Sequence, residues 1–379
     1  MIASARKVLC YASLFTAMAG TAPAWADINI AHVTPMSGPI GVEGREYDIG
    51  INVAIAAINA EGGIAGNKLV VRTEDDEYKP EKRISIIRSL ARTDTVAMLS
   101  PIGSPAMTKV LQDKVLEETG IPVVGVIPGA EPLRHPLNPY LFHVRAGDAD
   151  QYRKLVRNAL TIGLNRIAVV YADIPFGKSG LAMIESMLKE QKLEVAVRAP
   201  IPVASNTDYS ATLSLLEKTQ PNLVVMVIPA QIAGEFLRAY RDRGLKMQLT
   251  TPSYGNPDTL CNVATAARAR GVSVAQVMPN IRNTTLPIVR SYQTELKKYG
   301  PKDAKPNVLQ FEGYVTVKVL AEGLRRINGT PTRKSLIAAL ESMRKTDIGG
   351  FVVDYSPTKH TGSEFVDIGI ISNDCKLMF

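Results

Sequence analysis

The chain has 379 residues, more than one hydrophobic core usually supports, so two domains are expected. Its 46% hydrophobic and 21% charged residues are those of an ordinary globular protein, which argues against a disordered or fibrous chain. The formal net charge is +8, but Lys and Arg are scattered among acidic residues and form no block of five, which disfavours nucleic-acid binding.

The N-terminus reads as a secretory signal peptide over 1–26. Arg6 and Lys7 precede an uncharged apolar run over 8–20, and Ala24-Trp25-Ala26 supplies the small–x–small pattern cut before Asp27. The run is shorter than the ~20 residues of a membrane span. Cys10 lies inside it and not at its end, which argues against a lipoprotein. The expected product is exported and soluble, and no later segment reads as a span.

Strands and helices then alternate. A strand over 28–33 precedes a helix over 46–60 with Ile51, Ile55 and Ile58 on one face, ended by Gly62-Gly63. A strand over 68–73 follows, then a helix opened by Pro80 with Ile84, Ile87 and Leu90 inward. Next come a strand over 96–99, a helix over 104–118 and a strand over 121–126. The rhythm restarts with a helix over 151–162, a strand over 166–171, a helix over 177–191 and a strand over 193–197. It continues with a helix over 207–219, a strand over 223–228, a helix over 231–243, and strands near 247–251 and 274–278. Three helices near 286–299, 308–327 and 332–343 close the chain. Such alternation predicts an α/β fold of two doubly wound lobes, with parallel sheets covered on both faces. Ligands in such folds bind at the carboxyl ends of the strands.

No motif assembles an enzyme. Ala172-Asp173-Ile174-Pro175-Phe176-Gly177-Lys178-Ser179 nearly matches a phosphate-binding loop. Pro175 removes one cradle amide, no magnesium-binding Asp stands out, and export removes the nucleotide. Gly62, Gly63 and Gly66 follow a helix, whereas the dinucleotide fingerprint follows a strand. There is no Gly-x-Ser-x-Gly elbow. The acidic run Glu74-Asp75-Asp76-Glu77 reads as a solvated loop before a metal site. No His or Cys pair has metal spacing, so no metal and no cofactor is expected. Cys261 and Cys375 are read as two free thiols in preference to a bridge, since spacing gives no distance between sulfurs. The chain reads as a binder.

Four stretches resemble the type I periplasmic solute-binding proteins of ABC importers, in the Leu/Ile/Val-binding (branched-chain amino acid) branch. They are TPMSGPIGVEG over 34–44, INAEGGIAGNKLVVRTEDDEYKPEK over 58–82, RIAVVYADIPFGKSGLA over 166–182 and FLRAYRDRGLKMQLTTPSYG over 236–255. The resemblance spans essentially the whole mature chain. It implies a clamshell of two lobes joined by three crossovers, with lobe one at 27–143 plus 278–350 and lobe two at 146–277 plus 352–379. The crossovers would pass near Val144, Val277 and Val352.

It also implies a site between the lobes. The loop Ser100-Pro101-Ile102-Gly103-Ser104-Pro105 would grip a carboxylate. The local chemistry agrees: Gly103 permits close approach, while the Ser104 hydroxyl and the helix-start amides offer donors to an anion. Ser104 equally suits an N-cap with Pro105 at the first helical position. The turn Pro128-Gly129-Ala130 would add backbone amides, though it also reads as a plain turn. Glu43, on the first loop, stands where relatives place an aromatic, and Phe176 stands at a ligand-stacking position. Ser253 stands where amino-acid binders carry the acid that holds the α-ammonium, and Pro229 replaces a second aromatic beside Tyr254. A buried ammonium without a carboxylate costs several kcal/mol. The expected ligand is therefore a small carboxylate without an ammonium, such as an aromatic acid, unless Glu43 supplies the charge for an amino acid. The implied partners are that ligand and membrane permease subunits, with the protein acting as a monomer. A ligand sensor of the same fold is the alternative.

Overall fold

A computed structural model describes residues 27–204 and 207–379, so the expected signal peptide lies outside the described residues. The first sheet contains β1 (Ile28–Thr34), β2 (Leu69–Asp75), β3 (Ala97–Leu99), β4 (Val123–Val124) and β5 (Leu141–Phe142). All its pairings are parallel, in the order β2-β1-β3-β4-β5. In β1, Ile28 and Ile30 enter one buried cluster while Ala31 and Val33 enter another, so alternate side chains serve the two covered faces.

The second sheet is built on β6 (Ile167–Ala172), β7 (Val197–Ile201), β8 (Leu223–Val227), β9 (Gln248–Thr251) and β10 (Ser273–Gln276), again all parallel. A small hairpin follows late in the chain, β11 (Thr346–Asp347) with β12 (Val352–Val353). Then β13 (Asp367–Ile371) and β14 (Leu377–Met378) extend the second sheet in antiparallel pairing, giving β14-β13-β10-β9-β8-β6-β7. The parallel α/β architecture thus follows from the strand–helix rhythm. The antiparallel edge was missed because so short a tail carries no such rhythm.

The chain between the sheets is not simply consecutive. Met278, Tyr292, Phe311, Tyr314, Val353 and Tyr355 all pack in the core of the first sheet. The helix Val308–Arg325 lies against the helix Gly41–Ala60 so closely that a Cβ on Gly50 would meet the Gln310 carbonyl oxygen at 1.8 Å. One on Gly313 would meet the Tyr47 carbonyl oxygen at 2.5 Å. Glycine is required at this crossing for space, not for backbone freedom. Because Val353 and Tyr355 belong to the first core, the last crossing falls after them and not at Val352. Val366 and Ile368 are the first late residues packed against the second core, and His143 pairs with Thr361 between the two.

Three local expectations are corrected. The strand expected over 193–197 is β7, which begins at Val197; Pro200 inside it is tolerated because β7 is an edge strand. The helix expected over 104–118 is two helices, Ser104–Gln112 and Val115–Thr119, broken where Lys114 adopts a left-handed φ of 53°. Cys261 and Cys375, read as free thiols, form a disulfide with Cα atoms 6.2 Å apart. The fold brings the end of the chain beside the helix Pro257–Ala264, a proximity that a separation of 114 residues hides.

Candidate functional site

A cavity of about 130 Å³ lies where the carboxyl ends of the two sheets face each other. Most segments lining it follow a strand: Glu43 and Tyr47 come after β1, Ile102–Ser104 after β3, and Ile127–Pro128 after β4, while Glu312 comes from the helix Val308–Arg325. Phe176 comes after β6, Pro229 after β8, and Ser253–Tyr254 after β9. This is the ligand position that parallel α/β sheets favour. Of the residues expected from sequence, Glu43, Ile102, Gly103, Ser104, Pro128, Phe176, Pro229, Ser253 and Tyr254 line this one cavity.

Gly129 and Ala130 do not line it. The Gly129 amide donates to the Tyr254 hydroxyl at 2.7 Å, and its carbonyl accepts from the Asp148 amide at 3.0 Å. The Ala130 carbonyl accepts from Leu133 at 3.0 Å. Tyr254, from the far side of the cleft, therefore occupies the amide that was expected to meet a ligand oxygen. Its hydroxyl also donates to Asp148 at 2.7 Å. Burial raises the Asp148 pKa, against the lowering effect of that Tyr254 hydrogen bond.

Glu43 lies in the first turn of the helix Gly41–Ala60 and not on a loop. Burial raises its pKa, opposed by its own amide and by Arg45. At the next wall, Gly103 takes the N-cap position with φ 103°, and no side chain caps the helix Ser104–Gln112. Ser104 is thus the first helical residue and not the cap. Its first-turn amides are left as anion donors at the cavity wall.

Sequence reasoning missed several lining residues, among them Tyr47, Tyr78, Arg145, Asn256, Gln276 and Glu312. Arg145 and Glu312 approach to 3.4 Å with side chains 3% and 4% exposed. Burial alone would lower the Arg145 pKa, but Glu312 beside it overrides that and holds the guanidinium charged. Tyr47 donates to Glu312 at 2.8 Å. Arg145 also donates to the Ser253 hydroxyl and lies 4.9 Å from the centre of the Tyr254 ring. The available signal was a lone Arg just after the Val144 crossover and a lone Glu within the apolar run of the helix Val308–Arg325. Phe176 meets Tyr254 edge-to-face at 5.1 Å and packs on the core of the second sheet. At the near phosphate loop, Lys178 is exposed and pairs with Asp173 at 2.8 Å, and neither Lys178 nor Ser179 lines the cavity. No His/Cys/Asp/Glu cluster able to hold a metal occurs among the described residues.

With this geometry in view, comparison with known proteins is decisive about family. The sequence signature of one family, described as periplasmic binding protein, matches residues 27–369. The chain belongs to the periplasmic binding protein family. Among the relatives of this periplasmic binding protein is Leu/Ile/Val-binding protein homolog 7 of Brucella abortus. It is 26% identical over 369 residues, covering 92% of this chain and 90% of the relative. A substrate-binding periplasmic protein from Ralstonia solanacearum superposes with a TM-score of 0.87 at 30% identity, covering 93% of this chain and 99% of that one. A branched-chain amino acid ABC transporter structure from Thermus thermophilus with bound valine shares the fold, with a TM-score of 0.84 at 19% identity over 93% of this chain and 95% of that one. The family implies a periplasmic location, and the Brucella and Ralstonia relatives are binding proteins by name.

Proposed function

We propose that this periplasmic binding protein captures a small carboxylate with an apolar body between its two sheets and presents it to the permease of an ABC importer. No bond in the ligand is made or broken. The observation that carries this reading is the cavity: an uncapped helix N-terminus at Ser104 on one side, apolar and aromatic side chains on the others. A water-sized site takes roughly 10–15 Å³, so the cavity's volume of about 130 Å³ suits a small solute. Contact with both walls would stabilise the closed arrangement by the ligand's differential affinity for it.

The ligand class supported first is an aromatic monocarboxylate. Ser253 stands where the family's amino-acid binders hold an ammonium, and its hydroxyl accepts from the Arg145 guanidinium. That hydroxyl is engaged by Arg145 and carries no negative charge, so the position itself offers an ammonium no counter-ion. Phe176 and Tyr254 give the same wall a ring surface. An aliphatic amino acid is the second reading. Glu43 faces the cavity with no ion-pair partner among the described residues, and the Brucella relative is named for leucine, isoleucine and valine. Calorimetry with leucine, isoleucine, valine, benzoate and cinnamate separates the two. If the amino acids bind with micromolar or tighter affinity and the aromatic acids do not, the first reading is wrong, and Glu43→Gln should then abolish binding.

A further inference from the structure

The acidic run Glu74-Asp75-Asp76-Glu77 reads in the sequence as a solvated loop, and its two central residues do something else. Asp76 is fully buried and so is Arg83, one turn into the helix Pro80–Leu90. The Asp76 carboxylate accepts from Arg83 Nε at 2.6 Å and from the Tyr78 amide at 2.8 Å. Arg83 Nη2 reaches past it and donates to the Ile102 carbonyl at 2.5 Å. The Tyr78 ring covers the next residue: a Cβ on Gly103 would stand 2.6 Å from Tyr78 Cε2. The turn that leads into Ser104 is therefore held from two directions by one ion pair, through Arg83 on Ile102 and through Tyr78 on Gly103. Asp75 does similar work on the neighbouring loop, accepting from the Met36 amide at 2.9 Å and the Ser37 hydroxyl at 2.6 Å.

A buried ion pair is a poor device for stability alone, since apolar residues of the same volume serve as well or better. Its value here is geometric. A guanidinium is a rigid planar fork that can serve Asp76 with one edge and Ile102 with another, whereas an ammonium is a single point charge. The first turn of the Ser104 helix must be placed closely for its donors to meet an anion, and nothing in Gly103, at φ 103°, would hold that turn by itself.

We infer that Arg83, clamped by Asp76, is a positioning residue for ligand recognition, setting the Ile102–Gly103–Ser104 turn and Tyr78 to receive the ligand's carboxylate. This rests on the placement of the carboxylate at Ser104 proposed above. The direct test is Arg83→Lys, which keeps a positive charge beside Asp76 and gives up the link to Ile102. Affinity is measured by calorimetry for cinnamate against cinnamamide and for leucine against leucinamide. Amide hydrogen exchange over residues 100–107 is measured without ligand. The expected result is about a tenfold loss for the carboxylate that the wild type binds, the scale of one charge-assisted hydrogen bond, no comparable loss for its amide, and faster exchange over 100–107. In a Ser104→Ala background the same change should add little, because both act through one turn. Asp76→Asn, read in the same way, should reproduce the pattern if Arg83→Lys fails to fold. Equal losses for carboxylate and amide, additive effects with Ser104→Ala, or unchanged exchange over 100–107 would each overturn the inference. A wild type that binds neither carboxylate overturns the proposed ligand class instead, and the exchange measurement then decides the role of Arg83 by itself.

Discussion

The wall of the cavity that follows β3 and β4 offers mainly backbone: the turn at Ile102–Ser104, the start of a helix, and Pro128. The wall that follows β6 and β9 offers rings, Phe176 against Tyr254. The difference shows how each kind of surface is kept in place. Rings hold one another and the core beneath them through contact area. A backbone turn with a glycine in it has no such grip and is fixed from behind, here by the buried pair Asp76–Arg83. In the proposed function the first wall reads the ligand's charge and the second its shape. Where the walls meet, Arg145 and Glu312 form a buried seam.

Breaking the seam should have the largest effect. Glu312→Ala leaves the Arg145 guanidinium buried and unpaired, and should lower unfolding stability by about 3–5 kcal/mol, measured by denaturant titration. Reducing Cys261–Cys375, which ties only the second unit, should cost about 2–4 kcal/mol in the same titration. Ser104→Ala tests the charge-reading wall: carboxylate binding should weaken by about 1.5–3 kcal/mol, and unchanged calorimetric affinity would show that the carboxylate lies elsewhere. Phe176→Ala tests the shape-reading wall. It should cost an aromatic acid roughly 0.5–1.5 kcal/mol beyond lost contact area, and an aliphatic ligand only the area. Lys178→Ala should change ligand affinity and stability least, because its pair with Asp173 is exposed and such pairs are worth about 0–1 kcal/mol. ATP should not bind the wild type; magnesium-dependent ATP binding lost in this variant would overturn the transport reading.

The two walls also differ in how well the sequence announced them. Pro-Phe-Gly, Thr-Pro-Ser-Tyr and Pro-Ile-Gly-Ser are turns after apolar strands, and chain order alone places such turns at the carboxyl edges of parallel sheets. The family resemblance singled out Phe176, Ser253, Tyr254 and Ser104 among such turns, and the four line one cavity. Arg145 and Glu312 were not, because their meaning lies in a pairing across 167 residues that no local pattern encodes. Gly129 was expected to offer its amide to a ligand, but that amide is already engaged. Its partner is Tyr254 of the same chain, and only the closeness of the two walls reveals that. Asp76 was hidden by its neighbours: a run of four acids looks solvated, and burial of one depends on Arg83, 7 residues further on in the next helix.

The crossing of Gly50 over Gln310 and of Gly313 over Tyr47 has a consequence for the order in which the molecule can assemble. Ile51, Ala54 and Ile58 emerge early from synthesis, yet the helix that covers them begins only at Val308. Until that segment arrives, the cluster that these residues share with Ile28 and Ile30 is incomplete, whereas most of the buried surface of the second sheet comes from the stretch between Tyr152 and Val274. The part of the chain made first is therefore among the last to be completed. The native form of the leading segment therefore waits on a partner made more than two hundred residues later.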